Sequence, residues 1–261
     1  MVYCIEQPLP HETHSPRRGE VRSVPRCQRT FRRIRAEDAL TKEERGLLWV
    51  CPYCPEQETY EAITAHDLLQ YAQQAERQLH ADFGTPDDSH RSFRLFLGLR
   101  PECVLEPDEE SYAIYLQHGS DPYQMRLQIG HEMFHRVCSQ GNVFHWTHEM
   151  LACLVSVRLL NSFGIAEYAV QTDKEYQRQS QFCSLAEMLT ADLTAPVYPT
   201  GLYGRAYVTG KVLQEIVGWS TLCLLVRNVH NNRIPDIHQW LKQLPEAQRQ
   251  VACQILPPYI Q

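Results

Sequence analysis

The chain has 261 residues, a formal net charge of −6, and 43% hydrophobic against 21% charged residues. That length can bury a real core, and the balance excludes a disordered chain. No stretch approaches the roughly 18 apolar residues of a membrane span, and the opening Met-Val-Tyr-Cys-Ile-Glu-Gln-Pro lacks the basic and apolar regions of a secretory signal, so a cytoplasmic protein without membrane contact is expected.

Residues 1–60 form a Pro- and Arg-rich region distinct from the rest. Between Arg17 and Arg35 eight arginines stand against one glutamate, a local charge of +7, so the remainder carries −13. Such a block suits phosphates of nucleic acid or an acidic partner, although a solvated arm without base-reading aromatics is the plainer reading. Thr41-Lys42-Glu43-Glu44 opens a short helix by the capping-box pattern, expected to end before Cys51. Cys51-Pro52-Tyr53-Cys54 points two sulfurs at one site. A structural zinc there needs two more ligands, Cys27 with Cys4, His11, His14 or His66, so an unmetallated turn is preferred. The ten cysteines show no disulfide framework, as expected in a reducing compartment, and Cys138, Cys153, Cys183 and Cys223 fall where thiols serve as small buried hydrophobes.

From 61 to 261 a second domain is expected, with a sheet and a helix over 61–141 and a helical part over 142–261. Leu68, Leu69, Ala72, Ala75 and Leu79 predict a helix from His66 to about Ala81, packed across the sheet. Ser92–Leu99 and Ser111–Gln117 read as strands, with turn chemistry at Arg100-Pro101 and Glu106–Glu110. Asp121 as N-cap, Pro122 at the first helical position and Gln124 closing a capping box begin a helix of about 18 residues, which Ser139–Asn142 ends. Met125, Ile129, Met133 and Val137, with Phe134, form its buried stripe. A further helix from about 148 to 162 has Thr147 as N-cap, Trp146 and Leu151 as a hydrophobic staple and Gly164 as its stop. Thr200–Gly210 precedes an apolar helix to Val217, and Gly218-Trp219 begins another to about Val229. A small, mostly antiparallel sheet followed by helices is an α+β arrangement.

The helix from Pro122 carries His131-Glu132-Met133-Phe134-His135. Two histidines four apart share a helix face and can reach one ion, and Glu132 beside the first can take a proton from a water there. With 12 His and 21 Glu, chance alone yields roughly 0.04 such patterns, and the capped helix around it adds weight. A catalytic zinc takes three protein ligands. Glu149 is the leading third candidate, since a short loop from Gly141 to Trp146 folds its helix back. The plainer reading is an ordinary first-turn acid, which the geometry favours less, and His145 and His148 compete with it. Position 138 is Cys and position 141 Gly, which excludes the longer three-histidine motif.

The run Tyr112–Gln117, Arg126–Gly130, His131-Glu132-x-x-His135 and Glu149-x-x-Ala152 resembles the core of the gluzincin zinc metallopeptidases, most closely the ImmA/IrrE group, over residues 65–165. The resemblance implies a zincin-like fold, zinc held by His131, His135 and Glu149, and Glu132 as general base. It also implies that the strand at 112–117 borders the cleft and pairs with an extended peptide substrate. Phe134 is bulkier than the residue usual there, so different packing behind the metal is expected. Some gluzincins set a tyrosine from a later helix over the metal as an oxyanion donor. Tyr203 and Tyr207 match that element in sequence order, and Arg205 and His230 are weaker candidates. The expected function is zinc-dependent peptide hydrolysis. Two alternatives are a regulatory module of the same fold that binds nucleic acid or a partner without proteolysis, and a helical interaction protein with an accidental motif.

Overall fold

A computed structural model describes residues 21–24, 29–33, 48–50, 65–85, 91–98, 101–105, 111–117, 120–139, 145–193, 198–227 and 235–256. Its strands are β1 (Val21–Val24), β2 (Arg29–Arg33), β3 (Leu48–Val50), β4 (Ser92–Gly98), β5 (Glu102–Leu105) and β6 (Ser111–Gln117). The helices are α1 (Ala65–Phe83), α2 (Pro122–Ser139), α3 (Trp146–Ser162), α4 (Ala166–Gln179), α5 (Leu185–Thr190), α6 (Leu202–Val217), α7 (Trp219–Arg227), α8 (Ile237–Gln243) and α9 (Glu246–Ile255). One mixed sheet followed by helices makes an α+β fold. Among the described residues, no helix is long and apolar enough to cross a membrane.

The sheet runs β1-β2-β3-β4-β6-β5. Its centre is parallel, β3 on β4 and β4 on β6, the latter from Ser92↔Ser111 to Gly98↔Gln117. Among the described residues the other three of its five pairings are antiparallel, so the sheet is mixed with antiparallel pairings in the majority. Between β4 and β6 in sequence comes β5, four residues set between Pro101 and Pro107. It pairs antiparallel with β6, Glu102↔Tyr115 to Leu105↔Tyr112, and thereby leaves β6 between two neighbours. The strand expected to offer its edge to a substrate is therefore engaged on both sides, and among the described residues β5 is the terminal strand on that side of the sheet, as β1 is on the other. Leu48–Val50 is a strand paired parallel to β4. The short helix expected to open at Thr41 and the Cys51–Cys54 turn lie outside the described residues.

Helix α2 begins as its sequence predicts. Asp121 Oδ1 accepts from the Tyr123 and Gln124 backbone N–H groups, each at 2.8 Å. Gln124 does not close the box; its Oε1 accepts from the Tyr168 hydroxyl at 2.7 Å, which ties α2 to α4. Gln128 locks the end of β6 to this helix. Its Oε1 accepts from the Gln117 N–H at 3.0 Å while its Nε2 donates to Ser120 Oγ at 3.1 Å. Met125, Ile129, Met133 and Phe134 are wholly buried, each side chain contributing about 1.5–3 kcal/mol by leaving water. The bulk of Phe134 is absorbed edge-on by Phe83 of α1, at 5.3 Å between ring centroids.

Helix α3 is the centre of the helical layer, with thirteen of its 17 residues buried against α2, α4 and α6. A helix apolar on nearly every face can only sit inside. Its N-cap is His145, two residues earlier than the expected Thr147: Nδ1 accepts from the Thr147 N–H at 3.3 Å and lies 2.7 Å from the Thr147 hydroxyl. It stops at Gly164 as expected, with φ +79 and the Ile165 N–H returning to the Leu160 carbonyl at 2.8 Å. Of the glycines after Thr200, Gly201 caps α6 with φ +82, whereas Gly204 and Gly210 lie within the helix, where they allow close approach.

A Cβ on Gly204 would stand 2.5 Å from the Tyr176 carbonyl oxygen and 2.6 Å from the Ser180 nitrogen, whereas one on Gly210 would meet side-chain atoms of Leu154 and Met150 at 2.7 and 2.8 Å. Backbone cannot yield as flexible side chains can. Gly204→Ala should therefore lower stability by about 1–3 kcal/mol and Gly210→Ala by less. Urea midpoints at constant slope measure both, and equal midpoints would contradict the close approach.

Candidate metal centre

Helix α2 presents His131 and His135 one turn apart, and α3 presents Glu149 in its first turn. His131 Nε2 lies 3.1 Å from Glu149 Oε2 and 3.1 Å from His135 Nε2, while His135 Nε2 lies 3.4 Å from Glu149 Oε1. Metal–ligand bonds of about 2.0–2.1 Å at tetrahedral angles put ligand atoms about 3.3–3.4 Å apart, so this triangle matches one face of such a site. Two imidazole nitrogens and a carboxylate facing inward form a donor set that fits a divalent metal ion, without selecting which one. The three side chains are 15, 12 and 12% exposed for His131, His135 and Glu149, enough for access and little enough to strengthen charge interactions. Burial pushes the Glu149 carboxyl up, but His135 and His131 facing it push further the other way and hold it well below the usual carboxylate range.

Comparison of the chain with protein-family models, with curated proteins and with solved structures returns no match. The reading of this centre therefore stands on its geometry.

Glu132 is buried on the same helix. Its negative charge adds, as the smallest of several causes, to the upward shifts of the Cys153 thiol and the Tyr203 phenol. Tyr203 packs edge-on to the His131 ring at 5.7 Å and to Tyr198 at 6.3 Å. Burial, then Glu149 and Tyr198, raise its phenol well above the ordinary value, so it stays a neutral hydrogen-bond donor. Tyr207, one turn later, faces elsewhere. Its hydroxyl donates to Asp173 Oδ1 at 2.7 Å and its ring stacks on Tyr176 at 4.7 Å. Arg205 donates to the Cys183 and Ser180 carbonyls, both at 2.7 Å, and fastens the turn after α4. His230 lies outside the described residues, as do Cys4, His11, His14 and Cys27.

The competing ligands are placed apart from the triangle. His145 spends its Nδ1 on the α3 cap, and burial pulls its pKa down to about 4. His148 is wholly buried, its pKa drawn down to about 3 by burial and then by His135 and His145.

Three supporting residues, Arg136, Cys153 and Tyr176, are not marked as part of the centre by any motif. Arg136, next to His135, is buried and donates to the Arg91 carbonyl at 2.6 Å, pairs with Glu76 of α1, and lies over the Phe93 and Tyr112 rings at 5.4 and 5.6 Å. It fixes the rotation of α2 against the sheet, a role invisible without knowing which strands lie beneath. Cys153 is wholly buried one turn after Glu149; burial, then Glu149, raises its thiol, while Tyr176 of α4 acts to lower it. A Glu-to-Cys spacing of four was a usable hint for Cys153, since it sets both on one face of α3. None of Cys138, Cys153, Cys183 and Cys223 is disulfide-bonded.

Two measurements test this arrangement. The full chain should bind about one divalent ion, and His135→Ala should weaken binding at least a hundredfold, read by metal competition and elemental analysis. Equal metal content in the variant would remove His135 from the centre. Away from the centre, burial pushes Asp173 up but its bonds to Lys211 and Tyr207 leave it lowered overall. Its stabilising effect is then full above the unfolded Asp value near pH 4 and lost as pH falls through the lower folded value. Asp173→Asn should flatten the acid limb of a stability–pH curve below about pH 4; an unchanged limb would contradict the assignment.

Proposed function

We propose that the chain is a zinc-dependent metallopeptidase with a zincin-like fold, related in kind to the gluzincins and most similar to the ImmA/IrrE group. The observation that carries this reading is the ligand triangle of His131, His135 and Glu149, with Glu132 on the same helix as the histidines. Zinc bound there would acidify a water and polarise a peptide carbonyl.

The chain's own residues supply the rest. Glu132, buried beside the ligands, accepts the proton of the attacking water and delivers it to the departing amine. Tyr203, kept neutral, is the donor available to a developing oxyanion, whereas Tyr207 is committed to Asp173. His131 and His135 keep their Nε2 atoms directed inward because α2 is held from behind by Arg136 and Gln128. An extended peptide pairing on the β6 side of the sheet would align along β5, since β6 has a partner on each side.

Glu132→Gln should lower peptide hydrolysis by about 10²–10⁴-fold while leaving metal content at the wild-type value. Hydrolysis of a mixed peptide library, followed by mass spectrometry, reads the first; elemental analysis reads the second. Wild-type activity in Glu132→Gln, or metal binding by the wild type with no hydrolysis of any library member, would refute the peptidase reading. The second outcome would favour a binding module that retains the metal.

A further inference from the structure

We propose that the face of the sheet opposite its core side is a binding surface for single-stranded nucleic acid, built from arginines and aromatic residues that strand pairing sets side by side. This surface stands independently of the metal centre.

Register fixes the two faces. Phe93, Leu95, Tyr112, Ile114 and Leu116 are all buried, and Arg136 of α2 lies over the Phe93 and Tyr112 rings, so theirs is the core side. Successive residues of a strand alternate between faces and directly paired residues share one. On the opposite face Arg33 is paired with Trp49, Trp49 with Phe96 and Phe96 with Tyr115, one continuous rung across β2, β3, β4 and β6. Two residues back along β2, Phe31 stands between Arg29 and Arg33 and is paired with Arg22 of β1. Arg94 of β4 is the fourth arginine at positions of this face, and Glu102 of β5 is the one acid there among the described residues. On this side Ser92 is exposed, Tyr115, Gln117 and Glu102 are half-buried, and Ala113 is buried.

In sequence the arginine block holds one aromatic, Phe31; pairing brings three more beside it from strands up to 84 residues away. Aromatic positions on the side away from the core mark a place where another surface docks. A protein layer laid over them has to bury the neighbouring arginines as well, which is costly without a matching set of acids. A nucleic acid strand answers both needs. Its bases stack on aromatic rings whatever their sequence, and its phosphates attract guanidinium groups. Neighbouring strands lie about 4.8 Å apart and alternate residues of one strand about 7 Å apart, so cation and ring positions succeed each other at the scale of a nucleotide. A duplex keeps its base faces inside the stack and can engage the arginines alone.

The test uses the full chain with fluorescein-labelled 12-nucleotide single strands of RNA and of DNA, and with duplex DNA and polyglutamate as competitors. By anisotropy the wild type should bind a single strand in the micromolar range, with log K falling against log salt at a slope of about −2, roughly 0.7 for each of three phosphates. Arg29→Ala combined with Arg33→Ala should reduce that slope by about 1.4. Trp49→Leu should weaken binding about five- to a hundredfold at an unchanged slope, and an unlabelled single strand should quench the intrinsic fluorescence of the wild type more than that of Trp49→Leu. Phe31→Leu is measured alongside, and if circular dichroism shows Trp49→Leu to be misfolded, unchanged affinity in Phe31→Leu overturns the proposal in its place. Failure of the wild type to bind either single strand at low salt would overturn it. So would tighter binding of the duplex, displacement by polyglutamate as effective as by unlabelled single strand, or unchanged affinity in folded Trp49→Leu. A preference between the RNA and DNA strands would support the surface and name its source of ligand.

Discussion

The centre depends on how closely α2 and α3 can approach. Gly130, immediately before His131, faces Ser156 of α3, and a Cβ there would stand 3.1 Å from the Ser156 Cα. Any larger residue at 130 would push the helices apart by a few tenths of an ångström, and the ligand triangle tolerates little more than that. The absence of a side chain at one position is thus what lets an imidazole pair on one helix meet a carboxylate on the next. On the far face of α3, Gly210 of α6 lies against Met150 and Leu154 in the same manner, so the Glu149 helix is clasped from two sides.

Around that contact the structure separates rigidity from chemistry. The ligands face inward at the rim of the helical layer, and the groups that hold them lie deeper. Arg136 binds α2 to α1 and the sheet, and Gln128 binds it to the end of β6. The Tyr176 and Tyr207 pair, anchored by Asp173 and Lys211, binds α4 to α6. Polar side chains buried in this way are expensive unless paired, and most of these are paired. The metal ligands themselves need carry little of the fold's stability.

What could be read before any coordinates were those features set by local chemistry. The bounds of α2, its Asp121 cap, the Gly164 stop and the two histidines on one face follow from side-chain spacing and turn preferences within a few residues. Features set by distant partners could not be read. Gln124 fits a capping box until Tyr168 arrives from 44 residues away. Thr147 looks a better cap than His145, but a histidine nitrogen accepts the same bond once burial keeps it neutral. The strand β5 is too short and too close to two prolines to show a period, yet it takes the place beside β6 and moves the sheet margin. Tyr203 and Tyr207 are equivalent by sequence; only the placement of Asp173 and His131 tells them apart.

The brevity of β5 has a further consequence, for scale. As the terminal strand it offers four residues of backbone, Glu102–Leu105, about 13 Å of length. Prolines flank it in sequence, and a proline has no N–H with which to continue a ladder. Any extended chain laid along that margin is therefore read over a span of about four residues, and sequence beyond that window must be recognised by other parts of the surface or not at all.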